Sequence, residues 1–376
     1  MTYDAAIIGG GLAGCSAAIT LAQQGKRVVL FESKAYPHHK VCGEFLSPEC
    51  LHYLDDLGVM PALRSLHPAP VHTVAITTPD GTQWETHLPG LSVSRYRLDH
   101  LLAQRAEALG VEIHTSTTVT RIEGDLHKGF RIQTRPNTAD FRAKTVIAAH
   151  GKRSNLDRAL NRRFLRKPQP FTGLKAHFYG APLSGRVELH TFPGGYCGLG
   201  EIEDGLTNVC LLVRTEVFRR AGDIDSFIAW MREQNPQLER WFKSARMVGD
   251  GWLSISQIPF LTKRVLEGDI LMAGDAAGLI TPLTGDGMSM ALRGGQMAAQ
   301  HLSQYLEGRL TAAQLREGYA AEWKHAFRSR LWLGRALQVF MLNPPLLAFG
   351  LRVLNRMPRF GRYLVYRTRD VAYLTG

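Results

Sequence analysis

The sequence predicts an α/β fold in which two units interleave along the chain, followed by a helical C-terminus. Three observations carry this reading. An apolar, β-branched run at residues 3–8 breaks into Gly9-Gly10-Gly11-Leu12-Ala13-Gly14, and a helical stretch from Cys15 to Gln24 follows. A second buried strand lies far along the chain, ends in Gly274-Asp275, and leads through a Gly/Pro-bearing loop into a long helix. Between them, at about 171–260, the pattern turns to short alternating strands with one helix at 224–234.

Composition narrows the class. A chain of 376 residues, 45% apolar and 21% charged, has enough core for two units sharing an interface and too little charge for disorder. The five cysteines (Cys15, Cys42, Cys50, Cys197, Cys210) form no C-x-x-C pair, so neither a disulfide framework nor a structural zinc site is expected. None of the 14 histidines sits in an H-x-x-x-H pair, which argues against metal catalysis. No secretory signal and no spanning apolar window is visible, so the expected compartment is the cytoplasm. An excess of 45 basic over 33 acidic residues, +12 in all, bears on partners rather than on fold.

In the first sixty residues each glycine has a separate task. Gly9 permits the tight turn, Gly11 lets backbone approach a pyrophosphate, and Gly14 lets helix and strand pack closely. The pyrophosphate would rest on the helix N-terminus, with Leu12 and Ala13 in the first turn, where free N–H groups and the helix dipole favour an anion. The second strand, 27–31, runs into Glu32 and Ser33, and Glu32 lies 23 residues after Gly9, suited to accepting hydrogen bonds from an adenosine ribose. This is a Rossmann-type dinucleotide site, and the fingerprint alone fits FAD or NAD.

The segment at 269–288 decides between them by resemblance. Its Gly274-Asp275-Ala276-Ala277-Gly278, Pro282, Gly285-Asp286-Gly287-Met288 pattern resembles the second FAD motif of the p-hydroxybenzoate-hydroxylase-like flavoproteins, most of all the geranylgeranyl-reductase branch. The resemblance implies an FAD-dependent oxidoreductase. In it Asp275 holds the ribityl chain, the loop from Pro282 to Gly287 lies along the isoalloxazine, and the following helix points its N-terminus at the flavin. Two further segments are similar to that branch. Arg95-Tyr96-Arg97-Leu98-Asp99 matches R-x-x-L-D, which implies that Arg95, with Arg97 in reserve, approaches the cofactor. Lys40-Val41-Cys42-Gly43-Glu44 after Pro37 matches P-x-x-K-x-C-G and implies a loop beside the flavin.

The chain also departs from the family. Where the family reads A-D-G-x-x-S, this chain has Ala149-His150-Gly151-Lys152-Arg153-Ser154, a change that speaks against direct nicotinamide binding, although Lys152 and Arg153 suit a phosphate. The electron donor is thus NADPH, NADH or a ferredoxin. The segment Thr191-Phe192-Pro193-Gly194-Gly195-Tyr196 matches only part of the reductase Y-x-W-x-F-P element. Gly251-Trp252-Leu253-Ser254-Ile255-Ser256-Gln257-Ile258-Pro259 keeps only part of the W-x-W-x-I-P segment of the halogenases, which argues against halogenation.

These readings divide the chain into an FAD unit (1–60, 91–165, 262–310), a substrate unit with an antiparallel sheet (61–90, 166–261), and a helical C-terminal segment (311–376). Because the flavin carries the chemistry, the protein needs only orient, dry and polarise. Candidate catalytic side chains are Cys42 as a thiol by the flavin, Glu44 as general acid/base, and Tyr196, with His190 as a further lining residue. Residues 324–370 hold Lys324 and nine arginines against Asp370, and ten minus one gives +9 of the +12. Their short apolar runs edged with arginine suit a helix in a membrane interface as well as a helical pair packed on the substrate unit. The expected substrate is a lipophilic small molecule, with monooxygenation set slightly ahead of double-bond reduction. Nucleic-acid binding is not expected. A non-catalytic, membrane-associated FAD protein is the alternative of another class.

Overall fold

The computed structural model of the protein describes residues 2–136 and 140–367. Its first sheet runs Leu266–Glu267, Ile270–Met272, Asp140–Ala148, Thr2–Ile8, Val28–Phe31, Glu112–His114, parallel except at the first pair. The hairpin Thr118–Asp125 and Gly129–Arg135 joins it antiparallel through the outer half of Asp140–Ala148. The inner strands are covered on both faces, which is why Val28–Phe31 is apolar and buried at all its positions rather than alternating. Leu271 stands opposite Ile147 and Met272 opposite Ala148, so the two distant glycine motifs end on one edge of this sheet.

Helices Leu12–Gln23 and Gly287–Leu306 cross there at very short range. A Cβ on Gly295 would lie 2.2 Å from the Ala13 carbonyl oxygen, and the Ser16 hydroxyl donates to Leu292 O at 2.8 Å. Small residues at the crossing let backbone meet backbone, and that approach fixes the second motif against the first.

The second sheet runs Arg246–Ile255, Phe171–Tyr179, Thr207–Arg214, Gly195–Glu201, Arg186–Phe192, Ala69–Thr77, Gln83–Ser92, Phe45–Leu46. It is antiparallel except where Arg186–Phe192 runs parallel to Ala69–Thr77. One helix was expected to interrupt its strands; there are three, Thr215–Arg220, Ile224–Glu233 and Pro236–Ser244. They cover the outer face, where Phe178, Phe192, Phe227, Met231, Trp241 and Phe242 form a core of their own. The extra helices are short, and the last declares itself only through its Asn235 cap and Pro236.

The helix Ala312–Met341 starts in the first core, through Tyr319, Trp323 and Phe327, and ends over the second sheet. Pro344–Arg356 and Pro358–Arg367 follow. Among the described residues no single helix is long and apolar enough to cross a membrane; the first two of these meet such a test only together, and they bend by 111° at their junction. Of the arginines in this segment Arg330 is buried, 3.5 Å from Glu49. Arg369 and Asp370 lie outside the described residues.

Candidate functional site

A cavity of about 1160 Å³ runs from the glycine edge of the first sheet to the inner face of the second. At its first end Gly11 caps the helix Leu12–Gln23 with no side chain over the free N–H groups. A Cβ at Gly11 would stand 3.5 Å from both Arg95 Nη2 and Lys40 Nζ. The helix N-terminus and two cations therefore converge on a space that only glycine leaves open, as a pyrophosphate requires. Gly14 is off the cavity wall and acts through packing: its Cβ would lie 1.8 Å from Gly9 O.

The charges there are balanced. Arg95 grips Asp99 through Nε at 2.6 Å and Nη2 at 2.8 Å. Burial disfavours the guanidinium, but Asp99 more than offsets this and keeps it charged. Arg97, the reserve, points away to Asp204 and Glu203 on the other unit. Glu32 accepts from Gly10 N–H at 2.8 Å and from Lys34 N–H at 3.1 Å. Burial would raise its carboxyl, yet Lys40 and these N–H groups hold it below the usual range, so it is an ionised acceptor at the place expected for a ribose. Ser33 lines the same end and donates to Glu32 at 3.0 Å.

At the other end of the glycine edge lie Gly274, Asp275, Pro282, Gly285, Gly287 and Met288. The turn Pro282–Thr284 closes on Gly285 with φ +68°, which glycine takes without strain, and the helix Gly287–Leu306 begins beside it. Asp286, assigned to the cofactor from sequence, is instead buried off the cavity wall. Its helix-like backbone turns the carboxylate toward the core, where its charge is felt by Cys50. Sequence reasoning missed Lys263: its ammonium donates to Lys152 O at 2.8 Å and Asp275 O at 2.7 Å, pinning this loop to the altered third motif. Burial pulls Lys263 down to about 8.

The altered motif has its own support. His150 Nε2 lies 3.0 Å from Asp157 Oδ1, and Asp157 also binds Arg162 at 3.0 Å and Ser154 N–H at 2.7 Å. Burial opposes ionisation of Asp157, but His150 and these donors bring it down to about 2. A carboxylate seven residues on thus braces the histidine that stands where the family has aspartate.

Cys42, Glu44 and Tyr196 all line the cavity, on different terms. Cys42 is half-buried, and its carbonyl accepts from Asn208 of the second sheet at 3.0 Å. Glu44 is fully buried with φ +59°. Its carboxylate takes Arg95 N–H at 2.6 Å, His177 Nε2 at 2.8 Å and the buried Lys175 ammonium. Burial would raise it, but Lys175 and His177 outweigh that and keep it ionised. It is a buried clamp between the two units, and neither Lys175 nor His177 was singled out by sequence.

Tyr196 is buried, and its hydroxyl has no well-formed hydrogen bond, with the Leu283 backbone beside it. Burial pushes its phenol far up, so it stays protonated. His190 was expected to line the cavity and does not: side chains alternate along Arg186–Phe192, so Leu189 faces inward while His190 turns under the helices to Thr77 at 2.7 Å. The far end of the cavity is apolar, walled by Val74, Trp84 and Leu88 of the second sheet and by Met341, Leu347 and Leu351 of the C-terminal helices.

With the geometry described, comparison with known proteins decides the family. The profile of the FAD binding domain family matches residues 2–193. The chain belongs to that family. Digeranylgeranylglycerophospholipid reductase 2 of Methanopyrus kandleri is 26% identical over 87% of this chain and 83% of its own length. Conditioned medium factor receptor 1 of Dictyostelium discoideum is 24% identical over 92% of this chain and 72% of its own. A flavin-dependent brominase superposes with a TM-score of 0.80 at 20% identity, covering 98% of this chain and 95% of its own, a likeness of fold. This FAD-binding chain is thus an FAD-dependent oxidoreductase of the p-hydroxybenzoate-hydroxylase-like superfamily, with geranylgeranyl reductases among the proteins it is similar to. The residues at the glycine edge fit the cofactor: Gly11, Arg95 and Lys40 suit the pyrophosphate, Glu32 the adenosine ribose, and the turn Pro282–Thr284 with Gly285 the isoalloxazine.

Proposed function

We propose that this protein reduces a carbon–carbon double bond in a lipophilic, chain-bearing small molecule. The observation that carries this reading is the shape and polarity of the cavity, which joins a cationic, glycine-lined cofactor end to a long apolar end closed by the C-terminal helices. The name of the archaeal reductase, similar over most of both chains, supports the reductive direction. FAD in its reduced form supplies a hydride. Tyr196, a cavity-lining phenol with no well-formed hydrogen bond, would hand over the accompanying proton, with the Cys42 thiol in reserve. NADPH, NADH or a ferredoxin restores the electrons.

Monooxygenation is the second reading, favoured by the same apolar walls, since oxygen transfer requires a dry cavity and Val74, Trp84 and Leu88 line this one with apolar side chains. The test is to reduce the FAD-loaded protein anaerobically and add a polyprenyl lipid. Reoxidation without oxygen and a product two hydrogens heavier supports reduction; reoxidation only with oxygen and a product one oxygen heavier overturns it for the second reading. A flavin that no donor reduces overturns both in favour of a non-catalytic FAD protein.

A further inference from the structure

Large apolar side chains exposed among the described residues are concentrated in one place. All except Tyr96, Tyr179 and Leu253 fall between residues 332 and 363. Trp332 is 70% exposed, Val339 62% and Phe349 66%, where a solvent-facing helix surface would ordinarily be polar. The helix Pro344–Arg356 carries two apolar stripes. Leu347, Leu351 and Leu354 recur at helical spacing on the face that walls the cavity. Leu346, Phe349 and Val353 recur on the opposite face and are exposed. The next helix, Pro358–Arg367, repeats the arrangement: Leu364 and Val365 line the cavity, while Phe360 and Tyr363 face out.

The charge on this surface has one sign. No Asp or Glu occurs from 323 to 369. Arg328, Arg356, Arg359 and Arg362 are exposed and make no ion pair among the described residues, whereas Arg352 reaches Asp80 at 2.6 Å. Aromatic and aliphatic side chains interleaved with unpaired arginines match a surface that is apolar within and anionic at its rim. An acidic protein partner would complement the arginines but leave Trp332, Phe349 and Phe360 without cause.

We infer that the outer face formed by the end of Ala312–Met341, Pro344–Arg356 and Pro358–Arg367 docks on an anionic lipid bilayer, and that a lipid reaches the cavity between the last two helices. The wall between bilayer and cavity is then one helix thick, apolar on both sides, so a chain need not cross water. The purpose of this surface rests on the lipophilic-substrate reading above. Its test does not, because binding is read without turnover.

The FAD-loaded full chain is sedimented with vesicles of phosphatidylcholine alone or mixed with phosphatidylglycerol. Co-sedimentation is expected with the anionic vesicles at low salt and should fall with added salt. The double variant Trp332→Asp/Phe349→Asp changes only exposed positions. It should lower partitioning by about tenfold or more, with flavin absorbance and thermal midpoint unchanged. The triple variant Arg356→Gln/Arg359→Gln/Arg362→Gln should lose the preference for anionic vesicles. Brominated lipids should quench the fluorescence that Trp332→Phe removes. Protein that stays in the supernatant with anionic vesicles overturns the inference. So does a dimer in solution that the Trp332→Asp/Phe349→Asp variant dissolves while vesicle binding stays unmoved.

Discussion

Replacing Glu44 by glutamine separates the two roles its position invites. The substitution keeps size and the left-handed backbone at φ +59° but removes the charge facing Lys175 and His177. Lys175 is 1% exposed and its strand offers no second carboxylate, so its ammonium would be left buried without a counter-charge. Breaking such a pair from one side costs about 3–5 kcal/mol, or roughly 5 °C in thermal midpoint for a chain of this size. The double variant Glu44→Gln/Lys175→Met should recover most of that loss, because both charges then leave together. The sign with pH follows from the depressed carboxyl: the pair stabilises the fold above the ordinary value of 4.5 and is lost as pH falls through the folded-state value below it. The gap between wild type and Glu44→Gln should therefore be full at pH 7 and narrow below about pH 4. Urea unfolding of the FAD-loaded protein at both pH values measures this. An unmoved midpoint with abolished turnover and a shifted pH–rate profile would refute the clamp and restore Glu44 as a general acid/base.

Further predictions concern the rest of the site. Gly11→Ala fits between Arg95 and Lys40 but fills the pyrophosphate's place, so the variant should fold and fail to retain FAD on gel filtration. Gly14→Ala should instead destabilise by about 1–3 kcal/mol, since its Cβ meets Gly9 O at 1.8 Å; equal loss of FAD with no loss of stability would contradict the packing role. Asp157, brought from 3.8 down to about 2, contributes stability above pH 4 that is lost as pH falls toward 2; this is about 2 kcal/mol. Asp157→Asn should flatten the acid limb of the stability curve, read by thermal melts from pH 2 to 7. Tyr196→Phe removes a hydroxyl with no well-formed bond, so stability should hold within about 0.5 kcal/mol, while substrate-driven flavin reoxidation should slow by about 10²-fold if it hands over a proton.

What was legible in the sequence was whatever short-range chemistry decides. A glycine needed for a turn or a close approach is needed wherever the fold goes, so Gly9, Gly11 and Gly14 could be given separate tasks, and Gly285 a place by the flavin loop. Periodicity likewise marked Thr2–Ile8, Val28–Phe31 and the long helix Gly287–Leu306 within a few residues. The helices Thr215–Arg220 and Pro236–Ser244 were missed because six and nine residues hold too few turns to show a period. Only the Asn235-Pro236 start could have revealed the second.

Tertiary structure alone decided which faces met. Lys175 and His177 lie more than a hundred residues from Glu44, and nothing near any of them announces a pair; the second sheet brings them together around its carboxylate. Strand parity sent Leu189 to the cavity and His190 away from it, a choice that a shift of one residue would reverse. The C-terminal helices showed their arginines and leucines in the sequence, but that their inner stripe closes the cavity depends on burying Leu347 and Leu351 against Trp84 and Leu88. The chain itself writes turns, periods and caps, because each is settled within a few residues by backbone sterics and hydrogen bonding. Which apolar face covers which is settled by removing area from water across the whole molecule, and only the folded chain contains that answer.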